Sequence, residues 1–311
     1  MKKLITFVLL FLIGLDIVDH NIFNDEIYNY LYQSYNKENY NIVVNSDALK
    51  INKFAYKEFN NFLQNTTNFY PNNKQQLLNI YYTVLNNGLT DFSYYCKNSY
   101  TTCLKDVNEL SEEASTFTYV NQFIHPYNSY SSIKSTNYSN NKRIDVVVEK
   151  KYSKEDQEKI ENRLDEIFNL LNINSYSTVN EKIKVFHDYI ANLNVYDQER
   201  AEKGESKYHS DSAIGTLFEG YSICSGYSDT LAIFLNRLGL ENVKVVTDKH
   251  AWNAVKINDV WYHIDLTWDD PIVTGGGNII QYEYFLITTN KLKEKNDGEH
   301  NFDENVYDFL K

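Results

Sequence analysis

Cys224 stands seven residues before Leu231, where Leu231, Phe234, Leu235 and Leu238 form the apolar stripe of a long helix that Gly239 stops. Counting back one heptad puts the cysteine on the inward stripe at the first turn. Unsatisfied amide N–H groups and the positive end of the helix dipole favour a thiolate there, the form that attacks a carbonyl carbon. Taken alone, a buried cysteine on an apolar stripe reads as core packing.

Two further residues turn packing into chemistry. Strand-like runs at 251–257 and 260–267 flank Asn258-Asp259, and a two-residue hairpin there pairs Ile257 with Val260, Trp252 with Asp265 and His250 with Thr267. His250 and Asp265 then share a face as diagonal neighbours, within reach of an imidazole–carboxylate hydrogen bond. A three-residue loop would flip one strand and separate them. A carboxylate on one ring nitrogen fixes the tautomer and leaves the other nitrogen to pair with a thiol. The candidate catalytic set is Cys224 as nucleophile, His250 as base and Asp265 as orienting acid.

Other residues compete for roles. The backbone amide of Cys224 is available to an oxyanion, and Tyr221 is a candidate second donor or a packing residue. Trp252 and Trp268 either line a substrate groove or pack in the core. His263 shares Asp265's strand face, so Cys224, His250, His263 and Asp265 form a conceivable zinc set, but no short Cys or His pair anchors it and no metal or cofactor is expected. His187 and Asp188, adjacent on a helix, should point different ways and be structural. Asp269-Asp270-Pro271 reads as a turn whose carboxylates cap or face solvent. Gly275-Gly276-Gly277 follows no strand-to-helix fingerprint, which argues against phosphate binding.

The elements that must position these residues follow from periodicity. Ser153 with Asp156 and Thr178 with Glu181 are capping-box pairs, each ahead of an apolar stripe: Ile160, Leu164, Ile167, Leu171, then Ile183, Phe186, Ile190, Leu193. Runs 132–138 and 143–150 alternate around Asn140-Asn141 as a hairpin, and 243–247 and 284–288 are further strands. Earlier, Leu77, Tyr81, Val84 and Leu85 form a helical stripe ended by Gly88, and 65–73 reads as loop.

The chain has 311 residues, 42% of them hydrophobic, enough for a large core in one or two domains. With 30 basic against 42 acidic side chains, nucleic acid is not an expected partner. Met1-Lys2-Lys3 and the apolar run 4–15 match a secretory signal, too short to span a bilayer comfortably; the other reading is a buried helix. Cys96 and Cys103 are a disulfide candidate for an exported chain, closing a small loop worth up to about 2–3 kcal/mol, and the alternative is two reduced thiols.

Cys224-Ser225-Gly226-Tyr227, His250-Ala251-Trp252-Asn253 and Asp265-Leu266-Thr267-Trp268-Asp269-Asp270-Pro271 resemble, in content, order and spacing, the three motifs of the transglutaminase-like superfamily. Phe186-His187-Asp188-Tyr189-Ile190 and Tyr196-Asp197 look like the helix preceding the core in many bacterial members. The resemblance is strong over about residues 180 to 271 and weaker back to His125-Pro126. It carries nucleophile, base and orienting acid onto Cys224, His250 and Asp265. Some members supply an upstream tryptophan as second oxyanion donor, and no Trp precedes Trp252 here. The implied fold is α+β, a papain/transglutaminase-like core with the nucleophile helix packed on an antiparallel sheet, preceded by a mainly helical N-terminal region. The expected organisation is 1–22 signal peptide or N-terminal anchor, 23–125 mainly helical region and 126–311 catalytic domain.

The implied function is acyl transfer from peptide or carboxamide groups through a Cys224 thioester, to water or to an amine. The substrate would be a protein or peptide, cell-surface proteins included, met by a secreted or cell-surface enzyme that touches membrane only through an uncleaved N-terminal segment. The rival readings are a catalytically silent extracellular binding module that retains the fold, and a structural exported protein in which the N-terminal region does the work.

Overall fold

A computed structural model of the chain describes residues 58–59, 61–62, 66, 68–112, 120–138, 142–270 and 279–310. The expected signal segment 1–22, much of 23–73 and the Gly275–Gly277 run lie outside the described residues. Helix α1 (Lys74–Asn86) starts where the Asn73 side chain accepts the Gln76 N–H at 2.9 Å, and it buries Leu77, Ile80, Tyr81, Val84 and Leu85. Gly88, at φ +67°, turns the chain into strand β1 (Asp91–Tyr95), and helix α2 (Cys103–Glu112) follows. A Cys96–Cys103 disulfide, Cα–Cα 5.7 Å, closes the loop between them. Strands β2 (Tyr130–Tyr138) and β3 (Arg143–Lys150) form the expected hairpin, and β1 adds to the free edge of β3 to give the order β1-β3-β2. This sheet crosses position 125/126, and the region before it contributes a strand as well as helices. Its buried residues join a cluster that includes Val243, Val245, Trp252 and Tyr307.

Both capping boxes form as the sequence suggests, Ser153 with Asp156 opening α3 (Lys154–Leu170) and Thr178 with Glu181 opening α4 (Val179–Leu193). Strand β4 (Val195–Tyr196) pairs in parallel with β5 (Tyr221–Ser222), placing Tyr196 opposite Ser222. Helix α5 (Gln198–Lys203) lies between them, and α6 (Cys224–Arg237) follows β5 directly. Phe186 of α4 stacks on Phe234 of α6 with ring centroids 3.8 Å apart.

The other face of α6 lies on an antiparallel sheet of β6 (Asn242–Val246), β7 (Ala251–Ile257), β8 (Val260–Ile264) and β9 (Phe285–Ile287), ordered β9-β8-β7-β6. Mixed helices and antiparallel sheets make the described part α+β. Asn258 and Asp259 have φ of 50° and 63°, the positive pair of a primed two-residue turn, and Ile257 faces Val260 as the alternation predicts. The strand expected over 260–267 stops early, at Ile264. Asp265 instead caps helix α7 (Leu266–Asp269), its carboxylate accepting the N–H groups of Thr267 and Trp268, which takes the chain out of the ladder. Helix α8 (Thr289–Lys295) ends the regular structure apart from a final turn at Asp308–Leu310. Among the described residues no helix is long and apolar enough to cross a membrane.

The cysteine arrangement gives a direct check. Denatured, unreduced protein should titrate a single thiol, Cys224, and alkylation followed by peptide mapping should find Cys96 and Cys103 only after reduction. Three thiols before reduction would refute the pairing.

Candidate active site

Cys224 is the first residue of α6, half-buried and outside any disulfide. The residue before it, Ile223, has no side chain able to cap the helix, so no N-cap side chain takes up the amides of the first turn. Neighbouring chain holds that turn from behind: the Ile223 N–H donates to the Ser210 carbonyl at 2.8 Å and the Ser225 hydroxyl to the Asp211 carbonyl at 3.1 Å. Gly226 allows the approach, since a Cβ there would lie 2.2 Å from the Ser210 oxygen and 2.7 Å from Ser222 Oγ.

One turn further along, a buried ionic cluster ties the helix to the sheet. Asp229 accepts from Lys244 Nζ of β6 at 2.7 Å, from Lys151 Nζ at 2.8 Å and from the Tyr152 hydroxyl at 2.7 Å. Burial opposes its charge, but the two ammonium groups more than offset this and hold the carboxyl well below the usual range. The Asn253 side chain of β7 donates to the Ser228 carbonyl at 2.9 Å, fixing the helix to the strand that His250 precedes.

His250 sits just before β7, its backbone N–H bonded to Thr247 Oγ1 at 3.1 Å. Its Nε2 meets Asp265 Oδ2, both side chains being buried. Burial pushes the imidazole pKa down, yet the Asp265 carboxylate and, after it, the Cys224 sulfur outweigh it and raise the pKa to about 10. The structure therefore brings Cys224, His250 and Asp265 together. Asp265 is held well below its usual range; burial works against this, and His250 and His300 supply the larger opposing effect.

His300 was not visible in the sequence. Its Nε2 lies 2.7 Å from the same Asp265 Oδ2, and its Nδ1 lies 2.9 Å from Asp297 Oδ2. No spacing rule links positions 265 and 300, so only the fold reveals the contact. Tyr196 also gains a role in the neighbourhood. Burial chiefly, and after it the charges at Cys224, Glu299 and Asp265, push its phenol up to about 12, so it stays neutral within electrostatic reach of the sulfur.

Several expected assignments change. Trp252 is 1% exposed and donates its indole N–H to His263 Nδ1 at 3.0 Å, so it packs behind His250 and lines no groove. Trp268 is half-buried, its ring centroid 6.5 Å from that of His250, and it stays a groove candidate. Tyr221 stacks on Tyr208 with centroids 3.7 Å apart, which commits its ring to packing and away from an oxyanion role. His187 and Asp188 do meet, at 3.1 Å, and His187 Nε2 reaches Asp269 Oδ2 at 3.3 Å, so the pair braces α4 against α7. Asp269 is buried rather than solvated, and burial likewise raises Asp270 to about 6 while the Tyr227 hydroxyl bonds its carboxylate at 2.5 Å.

The zinc set imagined from sequence is not assembled, because His263 spends Nδ1 on Trp252 and Nε2 on Thr289 Oγ1 at 3.0 Å. His250, Asp265 and His300 do present ligand atoms within 4.8 Å of one another. A tetrahedral zinc with bonds near 2.0–2.2 Å would hold its ligands about 3.3 Å apart. The 2.7 Å contact between Asp265 and His300 fits a shared proton rather than an ion.

No protein-family model matches the chain, and neither does any curated protein. Among solved structures, one described as the crystal structure of a TGase aligns over 45% of this chain and 45% of its own length, at 20% identity and a TM-score of 0.34. The chain thus spans less than half of that protein. At this distance the likeness neither strengthens nor weakens what the side-chain geometry says.

The buried charges make stability pH-dependent on both sides. The depressed carboxyls of Asp229 and Asp265 contribute stability fully present above an unfolded pKa of about 3.9 and lost as pH falls towards their folded values. The raised His250 contributes stability present below about 6.5 and lost as pH rises through about 10. Asp229→Ala should cost about 3–5 kcal/mol by stranding buried ammonium groups, and should flatten the acid limb of denaturant midpoint against pH. A wild-type midpoint and slope in this variant would contradict the cluster's role.

Proposed function

We propose that the chain is a thiol-dependent acyl-transfer enzyme with a transglutaminase-like core, in which Cys224 is the nucleophile. The observation that supports this best is the buried Asp265–His250 hydrogen bond, whose imidazole lies within electrostatic reach of a half-buried cysteine at a helix N-terminus that no side chain caps. The Cys96–Cys103 disulfide supports the further proposal that it works in an oxidising compartment, exported by its N-terminal segment.

The chemistry runs as follows. The Cys224 thiolate attacks the carbonyl carbon of a peptide or carboxamide, and the π electrons move onto oxygen. The Cys224 backbone N–H, with Tyr196 as second donor in place of Tyr221, stabilises that oxyanion. Asp265 holds His250 through Nε2, and the imidazolium gives its other proton to the departing nitrogen as the C–N bond breaks. Ammonia or an amine leaves and a thioester remains. Neutral His250 then takes a proton from water or an incoming amine, which attacks the thioester and regenerates the thiolate. The substrate is a protein or peptide, and each step uses only side chains and backbone of this chain.

Incubation with glutamine-containing peptides, with and without a primary amine, should give a thioester adduct on Cys224 in intact-mass spectra and release of ammonia. Cys224→Ala should abolish both. Asp265→Asn should slow turnover by up to about 10⁴-fold while the protein stays folded, because an amide selects the wrong tautomer and cannot stabilise the imidazolium. The Cys224→Ala/His250→Ala double variant should be scarcely worse than Cys224→Ala. Undiminished turnover in Cys224→Ala would move the site elsewhere, and absence of any adduct across a broad panel would favour a silent binding module.

A further inference from the structure

Asp265 takes two hydrogen bonds on one oxygen from two different histidines. Its Oδ1 is already filled by the amides of Thr267 at 2.9 Å and Trp268 at 3.2 Å, so both rings compete for Oδ2. His300 is as deeply buried as His250, and the loop between α8 and the C-terminal turn holds it firmly. Asp297 Oδ2 lies 2.9 Å from His300 Nδ1 and accepts the Tyr284 hydroxyl at 2.9 Å, and its Oδ1 accepts the amides of Glu299 and His300 at 3.0 Å. The Tyr284 ring stacks on the imidazole at 4.7 Å and 18°, with Trp252 edge-on at 4.7 Å and Trp268 at 5.3 Å. An ionised carboxylate only accepts, so in the bond to Asp265 Oδ2 the donor is His300 Nε2.

We propose that His300, oriented by Asp297, is a positioning residue that shares the Asp265 carboxylate with His250 and so sets how tightly His250 holds its proton. The inference rests on the reading of His250 as general acid and base. A second donor on Oδ2 withdraws part of the negative charge that would otherwise stabilise a proton on His250. The consequence is functional, because an imidazolium held too tightly by its carboxylate is a poor acid towards a leaving amine. A residue that merely filled space would need neither a donor aimed at Oδ2 nor a carboxylate bonded to its other ring nitrogen. The groups that face His300 are Asp265 at the start of α7, His250 before β7, Asp297 and Glu299 of its own loop, Tyr284 ahead of β9, and more distantly His263 of β8.

The test is the ring-nitrogen NMR titration of histidine-labelled full-length protein, with the His250 signal assigned by its loss in His250→Ala. In wild type the His250 midpoint should lie near 10. In His300→Ala it should rise by about one pH unit, because Asp265 then serves His250 alone. His300→Gln restores an N–H donor at about the position of Nε2 and should bring the midpoint most of the way back. Asp297→Asn, which loosens the ring without deleting it, should give a smaller rise. Asp297→Asn carries the test should His300→Ala fail to fold. An unchanged or lowered midpoint in folded His300→Ala, or in Asp297→Asn where His300→Ala does not fold, would overturn the inference whatever happens to Tm, while leaving the proposed function standing. A wild-type midpoint in the ordinary histidine range near 6.5 would instead undo the His250–Asp265 pairing on which that function rests.

Discussion

The Asp265 carboxylate is the point on which the rest of the site depends. It ends β8, caps α7 through two amides and holds His250 by Nε2. Each of these uses needs an ionised, desolvated acceptor at one place, and burial alone would drive such a group towards neutrality. Four donors reverse that outcome, and the carboxyl stays well below its usual range. The same bonds explain why local structure and chemistry are inseparable here. Were the strand to continue to Thr267 as its β-branched residues suggest, Oδ1 would lose both amides and the carboxylate would be free to turn away from the imidazole.

Cys224, the proposed nucleophile, has its own anchor, built on the same principle at larger scale. Asp229 and its lysine partners place charge in the interior, and the desolvation penalty of several kcal/mol per ion cancels much of the attraction. Such a cluster is a poor way to gain stability but a good way to specify geometry. It ties α6 to β6 and to the chain before α3, while Asn253 ties the helix to β7. A helix that slid or rotated along the sheet would break charge-assisted bonds instead of exchanging one apolar contact for another. Cys224 and His250 are therefore placed by two frames bolted together, one at Asp229 and one at Asp265.

What could be read from the residues alone was whatever local periodicity controls. The heptad back from Leu231, the two capping boxes and the Asn258-Asp259 turn are short-range signals, and parity across that turn was enough to put His250 and Asp265 on one face. The end of β8 was misjudged because Leu266 and Thr267 continue a strand-like pattern, whereas the deciding force was a side-chain cap at Asp265. His300, Asp297, Lys151 and Lys244 were invisible because their partners are remote in sequence or, for Asp297, serve a residue whose role was itself unseen. Likewise β1 was missed in a region dominated by a helical stripe, since its partner strand begins fifty residues later and nothing in 91–95 announces the pairing. Trp252 shows the limit of motif reasoning: its place beside His250 left groove and core both open, and burial against His263 decided for the core.

The central claim is that His250, held by Asp265, makes Cys224 a reactive thiol in the folded protein. The most direct measurement is the rate of alkylation of Cys224 by iodoacetamide at pH 6, compared with the same cysteine in denatured protein and in folded His250→Ala. Activation of this kind predicts a native rate at least about 10²-fold above the denatured one, falling to that level or below in His250→Ala. A native Cys224 that reacts no faster than its denatured form, although small reagents reach it, would contradict the account.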